Sequence, residues 1–178
     1  MTSKSSRGTR RVCGVVGSVC ASALVLLAIQ GSSATALSAQ PVPFRASATG
    51  SYGSGGGNGV EKATHMGDGD LHTLITANLP PGFTCAPGSG VPVRFVQQVE
   101  HTAANGDQLF GRLESTGCLV IGGITHLHGT ETITGGTGRF ADAEGSLDVV
   151  TTLDDSTDPV NVSGQFVAER TGTIWFDV

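Results

Sequence analysis

The sequence predicts an all-β domain: an antiparallel meander of about eight strands closed into a barrel. Three observations predict it. Gly, Thr, Val and Ser dominate residues 37–178, where Lys62 is the only lysine, and this composition suits strands and turns. No window of a dozen residues carries an apolar stripe at the helical spacing i, i+3, i+4, i+7. Turn signals recur instead, at "GSGGGNG" (53–59), "MGDGD" (66–70), "LPPGFTCAPGSG" (79–90), "ANGD" (104–107), "GG" (122–123), "GGTG" (135–138) and "DDSTDP" (154–159). With no helix to cover a sheet face, closing the meander on itself disposes of its exposed edges most simply.

The first element is a leader. Lys4, Arg7, Arg10 and Arg11 precede the apolar, uncharged run Val12–Ile29, and Ala34-Thr35-Ala36 supplies small residues at a cleavage site. That order predicts a secretory signal peptide over residues 1–36, a short linker over 37–42 and a barrel domain over 43–178. The apolar run is diluted by Gly and Ser, which disfavours a retained membrane span. No bulky apolar residue follows Arg10-Arg11 at twin-arginine spacing.

Removal of the leader leaves 142 of 178 residues, enough for one domain with its own core. Four of the ten basic residues leave with it, so six face 15 acidic ones, a formal charge of −9. Such a chain has no cluster to neutralise phosphates, so nucleic acid is excluded as a partner, and so is an anionic membrane surface. Of the four cysteines, Cys13 and Cys20 lie in the leader; Cys85 and Cys118 remain and are expected to form one disulfide. Their spacing lacks the paired short intervals of a zinc site.

The strands are expected at 43–52, 60–66, 70–78, 93–103, 108–116, 119–133, 144–153 and 161–177, the last bent or split. Asn105-Gly106 marks the clearest hairpin, read as a two-residue type I′ turn. That register sets His101 opposite Phe110, Val99 opposite Arg112 and Gln97 opposite Glu114, with neither face cleanly apolar. Two mixed faces fit a small barrel whose interior holds polar groups, or a register other than this one.

"TITGGTGRFADAEGSL" (132–147) superficially matches the dinucleotide fingerprint G-x-G-x-x-G/A. The fingerprint needs a buried strand before it and a helix after it. Upstream is the polar "HLHGTETIT", and downstream Gly145 and the β-branched "SLDVVTT" oppose a helix. The stretch is therefore a loop between two strands. Gly135, Gly136 and Gly138 are expected to supply positive φ, and Phe140 to tuck beneath the loop into the core.

"TGGTGRFADAEGSL" resembles the Gly-Gly-Thr-Gly-x-Phe-x-x-Ala-x-Gly hairpin of the allene oxide cyclase and dirigent-like barrels, carried also by exported bacterial proteins of uncharacterised role. "KATHMGDGD" (62–70) and "TAANGDQLFG" (102–111) are similar to further segments of those proteins. The resemblance implies an eight-stranded antiparallel barrel around a central cavity. It transfers no activity and no functional residue.

Candidate chemistry is sparse. His126 and His128 share one face of a strand, and with His65, His72 or His101 they would form a three-histidine metal site; a chance pairing on a polar strand is the expected reading, so no metal is assigned. In the register above, His101, Arg112 and Glu114 share a face, with Glu100 nearby. Buried, that set offers acid/base chemistry; at the surface it is an ordinary cross-strand charge pair. Asp68 and Asp70 mimic part of a calcium loop but lack its distal glutamate, G-x-S-x-G is absent, and Asn161-Val162-Ser163 matches a glycosylation acceptor. The ligand-lining candidates are thus His101, Arg112, Glu114, His126 and His128, with no cofactor. The expected function is binding of a small, largely apolar ligand in the barrel. A filled barrel acting as an interaction protein, or a cofactor-free isomerase or cyclase, are the alternatives.

Overall fold

In the computed structural model, which describes residues 40–158 and 163–176, eight strands follow in chain order. They are β1 (Gln40–Gly53), β2 (Gly56–Ala63), β3 (Gly67–Asn78), β4 (Val91–Thr102), β5 (Gln108–Leu119), β6 (Ile124–Gly136), β7 (Glu144–Asp158) and β8 (Ser163–Phe176). Each pairs antiparallel with the next, and β8 returns to β1 with Gln40 opposite Phe176, which closes the barrel. Residues 1–36, where a leader is expected, and Asn161-Val162 lie outside the described residues.

Alternation along the strands sends one parity inward. Phe44, Ala46 and Ala48 on β1 are buried, as are Leu109 and Leu113 on β5 and Leu147 and Val149 on β7. Two apolar clusters result. One contains Phe44, Met66, Leu109, Phe140, Ile174 and Phe176; the other contains Leu71, Val99, Leu113, Val149, Phe166 and Ala168. Burying each large side chain among these stabilises by roughly 1.5–3 kcal/mol.

The first cluster closes one end. There the β6–β7 connection folds into a single 3-10 turn, Gly138–Phe140, with no α-helix after it. Phe140 is fully buried, its ring 5.0 Å from that of Phe176. Arg139 stacks over the Phe140 ring at 4.8 Å, bonds the His65 carbonyl and lies 3.8 Å from Asp107, so one guanidinium ties together three turns at this end. Gly135 and Gly138 adopt positive φ. Gly136 is not among the positive-φ residues; a Cβ there would come within 2.8 Å of the Phe140 Cβ, so close approach, not φ, is what it accommodates.

Four expectations about the strands and their turns are corrected. The Asn105-Gly106 turn is not type I′. Only Gly106 takes φ > 0, the Gly106 N–H donates to Ala103 O, and the Ala103 N–H donates to Asp107 O, which is a three-residue loop with a glycine bulge. The register moves by one: His101 faces Leu109 and Gln98 faces Arg112. The expected strand 119–133 is interrupted at residues 120–123, where Gly122 takes φ 74° and Thr125 Oγ1 accepts the Val120 N–H at 2.8 Å. Finally, the glycine run at 56–59 is strand, not turn, because Phe166 packs on its bare backbone, 2.9 Å from where a Gly59 Cβ would stand.

Candidate functional site

The barrel interior carries four charged side chains between the two apolar clusters. On β8, Arg170 stands between Ala168 of one cluster and Ile174 of the other; on β4, His101 stands between Val99 and Ala103. Glu61 on β2 and Glu131 on β6 complete the set. Relative exposures are 5% for Glu61, 0% for His101, 0% for Glu131 and 2% for Arg170. His101 Nδ1 lies 2.7 Å from Glu61 Oε1, and Nε2 lies 2.8 Å from Glu131 Oε1. Arg170 Nε donates to Glu131 Oε2 at 3.0 Å. The result is one chain, Glu61–His101–Glu131–Arg170.

Its protonation follows from geometry. A neutral imidazole has one N–H, yet both ring nitrogens here face carboxylate oxygens, so both must donate and His101 is an imidazolium. Burial opposes that charge, but the carboxylates of Glu131 and Glu61 outweigh it and raise the His101 pKa to about 9. Burial likewise opposes ionisation of Glu131; His101 and then Arg170 prevail and hold it at about 2. Two anions and two cations leave this chain of four without net charge, while Asp155, 1% exposed on β7, is a further buried carboxylate whose Oδ1 accepts the Gly123 N–H at 2.7 Å.

β5 makes room for this chain. Gly111 runs so close to the Glu131 carboxyl that a Cβ there would strike it.

The other end of the barrel is a cavity of about 380 Å³. Leu71, Leu113, Phe166 and Ala168 form its apolar lower wall, while Tyr52, Leu79 and Phe95 stand nearer the mouth. Arg170 and Ser115 also line it, and among the described residues no aspartate, glutamate or histidine does. Among the described residues Arg170 Nη1, Ser115 Oγ and Tyr52 Oη are buried and without a hydrogen-bond partner. Burial, then the carboxylates of Asp155 and Asp154, push the Tyr52 phenol up to about 12, so it stays a neutral hydroxyl. The Cys85–Cys118 disulfide, 33 residues apart in sequence, ties the β3–β4 connection to the end of β5 beside this mouth.

Of the five candidates drawn from the sequence, His101 alone lies inside the barrel, and it lies in the charge chain, not on the cavity wall. Arg112 and Glu114 point outward. They form a 3.7 Å pair at the surface, and Glu114 also accepts from Arg94 Nε at 2.7 Å. The expected face shared by His101, Arg112 and Glu114 therefore does not exist; the one-residue register shift separates them. His126 and His128 are exposed on the outer face of β6, and His126 Nδ1 meets Thr152 Oγ1 at 3.2 Å. Neither lines the cavity. His65 and His72 are exposed elsewhere, and no group of three or more His, Cys, Asp or Glu among the described residues is arranged to hold a metal.

No protein-family model, curated protein or solved structure matches this chain.

Glu61, Glu131 and Arg170 were missed by reading the sequence, though a signal for two of them exists. Glu131 shares strand parity with Leu127 and Ile133, and Arg170 with Phe166, Ala168 and Ile174. A charge in the apolar phase of a strand is a buried charge, and buried charges need partners.

Proposed function

We propose that this protein is an exported binding module that holds a small, largely apolar ligand in the mouth of the barrel. One observation carries the reading: an apolar-walled cavity of about 380 Å³, closed below, with unpartnered polar atoms on its wall. Ligand sites are typically of this size, mostly apolar, with a few placed polar groups that fix orientation. Among the described residues the lining holds no aspartate, glutamate or histidine, which favours binding over acid/base catalysis. The disulfide supports export to an oxidising compartment, as does the leader-like segment 1–36. The likeness of residues 134–147 to the allene oxide cyclase and dirigent-like hairpin supports membership of that group of cavity-bearing barrels, which by itself names no activity.

Native mass spectrometry of the protein purified without denaturation tests the reading. A bound mass that organic extraction removes is expected. Thr151→Phe, which places a ring in the cavity, is expected to abolish that mass while leaving the circular dichroism spectrum intact. Protein recovered at its bare mass in every preparation would overturn the reading in favour of an interaction protein with a filled barrel.

A further inference from the structure

We propose that the ligand is an uncharged carbonyl compound that enters oxygen-first and accepts a hydrogen bond from Arg170 Nη1. This rests on the binding reading above and adds the chemistry of the buried end.

The argument begins with Arg170. Its Nε is committed to Glu131 Oε2, which fixes the guanidinium in place. Nη1 has no partner among the described residues, although the side chain is 2% exposed and lines the cavity. A buried guanidinium N–H without an acceptor is costly, and an acceptor supplied by a ligand removes that cost. Ser115 offers a second unpartnered group. The pairings Arg170↔Val149, Val149↔Gly129 and Gly129↔Ser115 put both residues on one row of the wall, three strands apart and both facing the cavity.

Charge decides what kind of acceptor belongs there. Arg170 and His101 already balance Glu131 and Glu61. A ligand carboxylate at the floor would add an uncompensated anion beside that balanced set, in a barrel that also buries the Asp155 carboxylate. The mouth gives no relief, because the carboxylates of buried Asp155 and of Asp154 act on Tyr52 there. A ketone, aldehyde or ester oxygen satisfies Nη1 and leaves that balance unchanged. The apolar lower wall then takes the hydrocarbon body.

The test uses matched probes on two skeletons: decane, 2-decanone and decanoate; tetralin, 2-tetralone and tetralin-2-carboxylate. Binding to the whole barrel domain is measured by calorimetry at pH 7. On at least one skeleton the ketone is expected to bind at least about tenfold tighter than the hydrocarbon and at least about tenfold tighter than the carboxylate, as for one hydrogen bond to a charged donor. Arg170→Lys should erase the ketone's advantage while leaving hydrocarbon affinity within about twofold. Ser115→Ala removes an unpartnered hydroxyl at little risk to folding, and should weaken the ketone alone, by a smaller factor. Hydrocarbon and ketone of equal affinity on both skeletons would overturn this inference and leave the binding reading standing. A carboxylate that binds tightest would overturn it on charge. No binding by any of the six would remove the inference together with the reading beneath it.

Discussion

His101 Nε2 lies 2.8 Å from Glu131 Oε1 with both side chains sealed from solvent, so the proton between them is held by the fold and not by the buffer. Stability must therefore depend on pH in a set way. The His101 pKa is raised from 6.5 to about 9, so its contribution is complete below pH 6.5 and disappears as pH rises through 9. The Glu131 pKa is lowered from 4.5 to about 2, so its contribution is complete above pH 4.5 and disappears as pH falls towards 2. Thermal melts should show a plateau between pH 4.5 and 6.5, with Tm falling on both sides. A Tm unchanged between pH 6.5 and 10 would contradict the charged state of His101.

Removing the imidazole leaves two carboxylates facing each other across a closed interior. His101→Gln is expected to cost about 3–5 kcal/mol, because breaking a buried charge pair strands the partner. Urea unfolding followed by Trp175 fluorescence measures it. A loss below about 1 kcal/mol would mean that the chain is not held as a unit.

Gly111 is where the backbone yields space to Glu131. Gly111→Ala drives a methyl into the carboxyl group and is expected to destabilise by about 1–3 kcal/mol. At Gly53 a Cβ would meet nothing within 4 Å, so Gly53→Ala should stay within about 0.5 kcal/mol of the parent. Equal effects at the two sites would show that generic glycine replacement, not the collision, is responsible.

The Cys85–Cys118 bond closes a loop 33 residues apart in sequence, worth roughly 3–4 kcal/mol in the chain-entropy model. The Cys85→Ser, Cys118→Ser pair should lose about that much. Limited proteolysis should then cut within residues 79–90, while the closed end, clasped by Arg139, remains protected.

The fold was legible because its signals are local. Glycine, proline and asparagine mark most of the turns, residues 37–178 hold two cysteines, and Phe140 sits where an aromatic in a tight polar loop packs beneath it. The site was not legible because its parts are not local. Glu61 and His101 are 40 residues apart, and Glu131 and Arg170 are 39 apart, and only the closed register makes them neighbours. The hairpin at Asn105-Gly106 compounded this. Reading it as a two-residue turn moved β4 against β5 by one position, and in a sheet one position exchanges the inner face for the outer. Arg112 was thereby placed beside His101, whereas the guanidinium that serves the interior comes from β8.

The seam between β1 and β8 has a practical consequence. Gln40 and Phe176 are partners at the end plugged by Phe140, while Gly53 and Ser54 border the cavity at the opposite end. Gln40 and Phe176 therefore both lie on the side remote from the opening. A surface, a dye or a second domain attached at Gln40 or Phe176 would therefore leave the aperture facing outward, so the cavity of immobilised protein should be as accessible to solutes as that of protein in solution.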